Sequence, residues 1–464
     1  MNALLRTTLV ALFAASVSAA VRAADPKPIA IAKLERTTPV DFEKEVLPLL
    51  SASCLACHNK DKPKAKLVLE TPVSIRAGGK SGAAVVAGKP EDSLLLKSAA
   101  HLATDDVDIM PPADNKMNAP NLTSEQLGLI ALWIRQGATG EVKAPEPLAW
   151  RAVAQRVRAV LAVAVSDEGT WLTAGRANWI DLYALPAGKP IGKLVDPDLK
   201  TAAHRDLVQS LAISPDGKLI ASGGYREVKL WIRSGDGWKL HDTIGTGGPD
   251  SPLSDRVNAL DFSRDGKRLA IGGGVPSRTG QIALWSVDGR TLERIINDAH
   301  TDSVQALQFS ADGKQLVTGS ADGFVKLIST DTGKIILGYE AHVHQVLGVS
   351  LRADGKVIAS TGTDNAVRFW DAEKGERLKQ SATFEKEATG VRYLGEGDTV
   401  VITTGDAKVR IMKESGADSK TLNGPTDFVY CVSSSKDGKW IAAGGQDGVV
   451  RVWNAAGKLI GELK

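Results

Sequence analysis

The stretch Ser310-Ala-Asp-Gly-Lys-Gln-Leu-Val-Thr-Gly-Ser320 decides the fold of most of this chain, because versions of it recur. In each copy a short apolar strand leads into an Asp-Gly turn, and a second apolar strand follows and ends in small residues. Asp-Gly suits a tight hairpin, whose centre needs positive φ. Seven copies, two of them degenerate, place the turn glycines at Gly169, Gly217, Gly266, Gly313, Gly355, Gly397 and Gly438. Their spacing of 41 to 49 residues is the period of a four-stranded β-propeller blade.

An alternating third strand follows most of these turns. Examples are Val228-Lys-Leu-Trp231, Ile282-Ala-Leu-Trp285, Val367-Arg-Phe-Trp-Asp371 and Val450-Arg-Val-Trp-Asn454. Turns and strands together resemble the WD-repeat family over roughly two-thirds of the chain. The fifth copy carries nearly the whole family pattern, in His342, Ser360, Asp364 and Trp370. In that family these residues form a buried hydrogen-bonded set, so the resemblance implies a structural role for them.

Other copies depart from the family pattern. Ile328 replaces the tryptophan in the fourth copy, Ala443 replaces the serine in the seventh, and the sixth lacks most of the pattern. How the ring closes stays open, since residues 458–464 could already form the outermost strand of the last blade. The histidines outside the pattern, His204, His241 and His344, are scattered over several blades. No catalytic constellation stands out among them.

The second decisive motif, Cys54-Leu-Ala-Cys-His58, is the attachment signature for c-type haem. Two thiols one helical turn apart can add to the two vinyl groups of one porphyrin, and His58 then faces the iron. Apolar residues recur upstream at helical spacing, at Phe42, Val46, Leu49 and Leu50, which predicts that the motif ends an amphipathic helix. A zinc site would need a second Cys/His pair in this domain. A redox dithiol would be expected within a βαβ pattern, which the sequence does not show.

A second axial ligand to the iron must come from residues 59–140, where the candidates are Met110, Met117 and His101. Met110 leads the segment Met110-Pro-Pro112, in which the prolines restrict the loop. Ligation by Met and His raises the haem potential, as expected for electron transfer. We therefore predict His58 and Met110 as the iron ligands. Met117, His101 and an open sixth position are the alternatives, and Met110 as a mere core residue is the competing interpretation.

Residues 40–140 end in a capped helix, in which Thr123 and Gln126 form a capping box. Together with the haem motif, three further stretches resemble the Planctomycete-type cytochrome c domain: 85–95 (VVAGKPEDSLL), 110–112 (MPP) and 132–138 (LWIRQGA). The resemblance implies that Cys54 and Cys57 bind haem, that His58 is the proximal ligand and that Met110 is the distal candidate. It implies haem binding and electron transfer, and it names no substrate.

The first residues have the pattern of an export signal. Arg6 precedes the apolar run 9–17, and Val21 and Ala23 occupy the −3 and −1 positions of a cleavage site. The run is shorter than the ~20 residues that span a bilayer. Cleavage would leave a mature chain without an integral membrane segment, in the periplasm or another extracytoplasmic space. An uncleaved membrane anchor is the alternative.

The overall charge of the chain does not indicate a particular kind of binding partner. The 57 basic and 54 acidic residues nearly balance, which gives no case for nucleic-acid binding. One local feature is the loop Lys60–Lys66, with lysines at 60, 62, 64 and 66, directly after the haem motif. A basic rim beside an exposed haem edge would steer an acidic redox partner. An ordinary solvated loop is the alternative interpretation.

These features predict a multidomain chain: a signal peptide (1–23), an N-terminal linker (24–39), an all-α class I cytochrome c-like haem domain (40–140), a linker (141–149) and a seven-bladed all-β propeller (150–464). We expect an exported electron carrier with one covalent haem c, whose propeller or Lys60–Lys66 loop docks an unknown redox protein. The alternatives are a periplasmic haem-dependent oxidoreductase with a substrate site at the propeller and a redox-sensing interaction protein. Whether the protein is an enzyme stays open, and we assign no catalytic residue.

Overall fold

The computed structural model describes residues 27–60, 63–102, 108–112, 115, 119–142, 158–235 and 237–464. These residues form two compact units, one on either side of about residue 143. Several predictions fall on parts of the chain outside the described residues. They concern the signal peptide (1–23), Lys62, Met117 and most of the linker 141–149.

The N-terminal unit is small and partly helical. Its elements are a π-helical turn (Phe42–Val46), α1 (Leu47–Ser53), a 3-10 turn (Lys64–Lys66), α2 (Pro72–Ala77), a second 3-10 turn (Pro90–Asp92), α3 (Leu94–Ala99) and α4 (Ser124–Arg135). The predicted capping box opens α4: the Gln126 N–H donates to Thr123 Oγ1 at 3.3 Å, and the Thr123 N–H donates to Gln126 Oε1 at 2.8 Å. Both orphan donors are thereby satisfied at the start of the helix.

The core of this unit lies between α4 and the helical stretch before the Cys54–His58 motif. The Phe42 and Trp133 rings lie 5.2 Å apart, and both side chains are almost completely buried. Trp133 Nε1–H donates to the Thr139 carbonyl at 2.8 Å, so its one polar group is satisfied inside the core. Val46 and Leu50 add to the same cluster, as the helical spacing predicted.

Residues 27–39, the described part of the predicted N-terminal linker, contain neither helix nor strand, yet they pack on the helical unit. The Ile29 N–H donates to the Ala100 carbonyl at 2.8 Å, and the Ala32 N–H donates to the Ser124 carbonyl at 3.0 Å. Gly128 permits this approach, since a Cβ added there would lie 2.4 Å from the Ala32 oxygen. A glycine inside a helix weakens it, so this one is explained by the close contact.

The second unit consists of seven four-stranded antiparallel sheets, which confirms the predicted seven-bladed propeller. Each blade takes four consecutive strands in chain order, and the first strands of neighbouring blades contact each other around the ring. The strands are β1 (Val160–Val165), β2 (Trp171–Arg176), β3 (Trp179–Ala184), β4 (Lys189–Leu194), β5 (Ser210–Ile213), β6 (Leu219–Gly223), β7 (Glu227–Ser234), β8 (Gly237–Gly245), β9 (Ala259–Phe262), β10 (Arg268–Gly273), β11 (Gly280–Ser286), β12 (Thr291–His300), β13 (Val304–Phe309), β14 (Gln315–Ser320), β15 (Phe324–Ser329), β16 (Ile335–Glu340), β17 (Val346–Leu351), β18 (Val357–Gly362), β19 (Ala366–Asp371), β20 (Arg377–Thr383), β21 (Ala388–Tyr393), β22 (Thr399–Thr404), β23 (Lys408–Lys413), β24 (Lys420–Leu422), β25 (Val429–Ser434), β26 (Trp440–Gly445), β27 (Val450–Asn454) and β28 (Leu459–Leu463).

The turn between the first two strands of a blade is held by side chains. In blade 2 the Gly217 N–H donates to the Ser214 carbonyl, and Gly217 has φ +68°. The Ser214 hydroxyl donates to the Asp216 carboxylate at 2.6 Å and accepts from the Leu219 N–H at 2.9 Å. Only the glycine of the Asp-Gly pair is left-handed, and the aspartate instead accepts hydrogen bonds, here also from the Lys218 N–H. The same set recurs at Ser263, Ser310 and Ser435.

Blade 6 departs from this turn, and the prediction that Gly397 is its left-handed glycine is wrong. Gly395 has φ +64°, whereas Gly397 does not have positive φ. The turn Leu394-Gly-Glu-Gly397 lacks both the serine hydroxyl and the aspartate that hold the turns of blades 2, 3, 4 and 7. Without those bonds the left-handed residue moves to the earlier glycine.

The predicted hydrogen-bonded set of blade 5 is present. His342 Nδ1 lies 2.7 Å from Asp364 Oδ1 and Nε2 lies 2.9 Å from Ser360 Oγ, while Trp370 Nε1–H donates to the same Oγ. Burial lowers the pKa of His342, so the imidazole is neutral at pH 7. Burial alone would raise the pKa of Asp364, but the hydrogen bonds from His342 and Arg368 lower it below its ordinary value. The set is therefore structural, as the family resemblance implied.

Blade 2 contains an equivalent hydrogen-bonded set that the sequence did not predict. His204 Nδ1 lies 2.9 Å from Glu227 Oε1 and Nε2 lies 2.8 Å from Ser222 Oγ, which also accepts from Trp231 Nε1–H. The signal was the spacing, since His204 precedes Ser222 by the 18 residues that separate His342 from Ser360. Glutamate in place of aspartate, one residue later, hid the pattern.

The ring closes through side chains between blade 7 and blade 1. Strand β28 is the outermost strand of blade 7, so no strand is exchanged between the two blades. Arg176 of blade 1 is buried and donates to the carbonyls of Gly448 (3.1 Å) and Leu463 (2.6 Å) in blade 7. Its guanidinium also pairs with Asp181 at 2.9 Å, which leaves no uncompensated buried charge.

Substitution of Gly128 by alanine is expected to loosen residues 29–32 from α4, although alanine favours a helix by about 1 kcal/mol. The added methyl group would meet the Ala32 oxygen. Hydrogen exchange should therefore accelerate at the amides of Ile29 and Ala32. The control is Gly397→Ala, where an added Cβ meets nothing within 4 Å. Unchanged exchange at both amides in Gly128→Ala would contradict the packing described.

Substitution of His342 by alanine is expected to destabilise the propeller by about 3 kcal/mol, because Ser360 and Asp364 lose a buried partner. The measurement is the urea midpoint of the full chain, followed by tryptophan fluorescence. His344→Ala serves as the matched control, since that side chain lies two residues away and is exposed. Equal midpoints for the two variants would show that the buried set does not stabilise the blade.

Candidate functional site

The Cys54–His58 motif forms a turn at the end of α1. Cys54 is the C-cap of the helix, and its carbonyl accepts from the N–H groups of Cys57 (3.1 Å) and His58 (3.0 Å). This places the two cysteines one turn apart, with both thiols free and partly buried. Two thiols presented in this way can bond to a single flat group lying across the end of the helix.

The chain after the motif holds His58 in place. The Leu69 N–H donates to the His58 carbonyl at 2.8 Å, and the Lys64 N–H donates to the Cys57 carbonyl at 3.0 Å. The neighbouring Asn59 is buried, and its Nδ2–H donates to the Leu55 carbonyl at 2.7 Å. These bonds fix the backbone on both sides of the imidazole.

His58 itself has unused bonding capacity. Its Nδ1 is buried and has no hydrogen-bond partner in the described part of the chain. Burial lowers the pKa of the imidazole, which favours the neutral form with a free lone pair. A buried nitrogen without a partner is costly, so such an atom indicates a missing ligand. A bound metal would satisfy an imidazole of this kind.

A cavity of about 430 Å³ adjoins the motif. Cys54, Cys57 and His58 line it together with Met110, and its remaining wall is mostly apolar, with Leu67, Leu69, Leu94, Leu95, Ala99 and Leu122. Its volume lies in the ~300–1,000 Å³ range of cofactor and ligand pockets. The cavity therefore combines thiols, an imidazole and a thioether with apolar walls.

The three candidates for a second axial ligand are placed differently. Met110 lines the cavity, and its N–H donates to the Ser98 carbonyl at 3.1 Å. His101 is buried, and neither of its ring nitrogens has a hydrogen-bond partner among the described residues, but it does not line the cavity. Met117 lies outside the described residues. Of the two candidates that the structure describes, Met110 is the one that shares a cavity with the motif.

These residues fit a covalently attached haem better than the other groups that a Cys-x-x-Cys pair can serve. Burial raises the pKa of Cys54 to about 12. Redox dithiols have lowered thiol pKa values, so Cys54 lacks their activation. Among the described residues, no three His, Cys, Asp or Glu side chains form a group that could hold a metal ion, as a structural zinc site would require.

Positive charge surrounds one side of the cavity. Lys60, Lys64 and Lys66 are exposed, and Lys64 and Lys80 line the opening. The side chains of Lys60, Lys64 and Lys66 have no acidic partner among the described residues. The backbone N–H of Lys60 donates to Glu70 at 3.4 Å. Such a rim favours an approaching negative surface.

Comparison with known families gives two matches. Residues 54–114 match the Planctomycete cytochrome C family. Residues 197–231, 290–329, 333–371 and 416–454 match the WD domain, G-beta repeat. The comparison with curated proteins found no match. The chain thus carries a Planctomycete cytochrome C domain, which implies haem binding, and WD repeats that form a seven-bladed propeller.

No helix in the described ranges combines the length and the apolar character that a bilayer-spanning segment needs.

Proposed function

We propose that this protein is an exported electron carrier with one covalent haem c in a class I cytochrome c-like domain. Cys54 and Cys57 attach the haem, and His58 and Met110 are its axial ligands. The observation that carries the proposal is that all four side chains line one cavity. The haem supplies a one-electron couple when it is bound. The family match to residues 54–114 supports haem binding independently of this geometry.

The residues of this chain set the properties of that couple. The apolar wall formed by residues such as Leu69, Leu95 and Leu122 excludes water from the cavity. A thioether from Met110 raises the potential relative to a second imidazole. Hydrogen bonds on both sides of His58 hold its backbone in place, which limits reorganisation at this ligand. All of these contributions suit a carrier and require no substrate site.

The propeller serves as a docking platform for a redox protein partner. WD repeats suggest protein–protein interaction. The partner's acidic surface would meet the lysines beside the cavity, of which Lys64 and Lys80 line it together with the motif. We place the protein in the periplasm or another extracytoplasmic space, because covalent haem attachment and the signal-like residues 1–23 agree on that location.

The test is a reduced-minus-oxidised absorption spectrum of the chain produced with a c-type maturation system. We expect a c-type spectrum, and a Met–iron charge-transfer band that disappears in Met110→Ala, with a fall in reduction potential. His101→Ala is the control, and it should keep the band. Cys57→Ser should lose one thioether bond, which the absorption maximum and mass spectrometry report.

Two outcomes would contradict parts of this proposal. A matured chain without covalent haem would contradict the assignment of Cys54 and Cys57 as haem attachment sites. The two cysteines would then have to be explained as a thiol pair. A haem protein whose band and potential are unchanged in Met110→Ala would move the sixth ligand to His101, Met117 or an open position.

A further inference from the structure

The centre of the propeller contains a second cavity, independent of the haem site. The first strands of all seven blades surround it, and it opens on the face that carries the Asp-Gly turns. Its volume is about 390 Å³, which suits a small molecule. Most of its wall is polar, in contrast to the apolar cavity beside Cys54 and Cys57.

A repeated hydrogen bond joins the blades along this wall. A side chain on the first strand of one blade accepts from a backbone N–H on the first strand of the next. Four junctions show it: Asp261 accepts from the Phe309 N–H (2.7 Å), Gln308 from Leu351 (2.9 Å), Ser350 from Tyr393 (3.1 Å) and Ser433 from Val165 (3.1 Å). At these four junctions the N–H group that faces the channel is therefore satisfied by an acceptor from the preceding blade.

The junction between blades 6 and 7 reverses this pattern. The residue in the accepting position is Arg392, whose guanidinium carries only donors. The N–H that it faces belongs to Ser434, which pairs with Ile441 in the register that Leu351 has with Ile358. Neither group has a hydrogen-bond or ion-pair partner among the described residues. Two sets of donors thus meet without a protein acceptor.

Two other junctions also lack an accepting side chain, but they have alanine at that position and not arginine. Ala164 and Ala212 occupy that position in blades 1 and 2, where they leave room for water and add no charge. Arg392 instead brings a fixed positive charge into the channel, and Lys436 adds an exposed cation. Two further arginines line the cavity but have acidic partners: Arg264 pairs with Asp167 at 3.2 Å, and Arg352 pairs with Asp354 and Glu414. Donors and charge together call for an anion with several acceptor positions.

The opposite wall limits the charge of that anion. Asp261, in blade 3, lines the same cavity, as does Asp167 of blade 1, which pairs with Arg264. Glu396 also lines the cavity, but it is exposed and lies in the blade 6 turn that follows Arg392. Burial raises the pKa of Asp261 to about 6, while the positive charge of Arg392 acts in the other direction. At pH 7 to 8 Asp261 is mainly ionised, so a second negative charge on a ligand would be repelled. A donor group on the ligand would instead be attracted.

We propose that this cavity binds a small monocarboxylate that carries a hydrogen-bond donor at its other end. The carboxylate lies on the Arg392 guanidinium and the Ser434 N–H, and the donor group faces Asp261. A hydroxy acid or an amino acid of a few carbon atoms has this chemistry and fits the volume. The propeller is then a ligand-binding unit in addition to a docking platform.

Isothermal titration calorimetry of the full chain with glycolate tests the proposal. Glycolate contains only the two recognised groups, so we expect a dissociation constant on the order of 1 mM. Arg392→Gln should weaken binding at least tenfold. Lys314→Gln is the matched control, since Lys314 is an exposed cation on the same turn face outside the cavity, and it should bind as the wild type does.

Inorganic phosphate and a second pair of variants complete the design. Phosphate should bind the wild type more weakly than glycolate at pH 8, and Asp261→Asn should reduce that difference. Circular dichroism verifies the fold of each variant. If Arg392→Gln does not fold, Arg392→Lys, which keeps the charge, tests whether Arg392 contributes to glycolate binding. Arg392→Lys should retain part of the affinity because it loses the paired donors but keeps the cation.

The proposal is overturned if glycolate shows no saturable binding to the wild-type chain. It is also overturned if Arg392→Gln leaves the affinity for glycolate unchanged. If Arg392→Gln does not fold, the proposal is overturned when Arg392→Lys, like the control Lys314→Gln, leaves that affinity unchanged. Tighter binding of phosphate than of glycolate would reject the monocarboxylate class.

Discussion

Strand register in blades 2, 3, 4 and 7 depends on a four-residue turn in which a serine hydroxyl and an aspartate carboxylate hold the backbone. A slip of one residue would move every side chain of a strand to the other face of the sheet. In blade 2 the bonds from Ser214 and Asp216 prevent this slip, and they thereby place Ser222 beneath Trp231 and beside His204. Register also decides which side chains face the channel. In blade 2 a local turn thus fixes the buried hydrogen-bonded set around His204.

The N-terminal unit uses the helix end for a comparable purpose. Its motif holds two thiols and an imidazole close together in the chain. The Cys54 carbonyl fixes the backbone between them by accepting hydrogen bonds from the N–H groups of Cys57 and His58. The position of α4 is set from the other side, by the contact of Gly128 with Ala32 and of Trp133 with Phe42. Backbone and ring contacts therefore hold the elements whose residues line the cavity.

Features that rest on local chemistry could be predicted from the sequence. The blade count followed from the Asp-Gly turns, and the thiol spacing followed from the Cys54–His58 motif. Features that rest on long-range or substituted contacts could not. Glu227 concealed the set around His204, and the turn at Gly395 follows no serine or aspartate signal. Arg176 bonds to residues 272 and 287 positions away, which no local pattern indicates. The sequence predicts Met110 as the second axial ligand and leaves Met117, His101 and an open position as alternatives, because the segment around Met110 has no periodicity.

The closure of the ring has a consequence for how the propeller assembles and fails. Six of its junctions join blades that follow one another directly in the chain, so a covalent connection keeps those blades close even when their contacts break. Blades 7 and 1 have no such connection, and their junction depends on side chains such as Arg176. During synthesis the first six blades can therefore stack in order, and the last junction forms only when the whole ring exists. Under heat or mechanical force, we expect the ring to open at this same junction between blades 7 and 1.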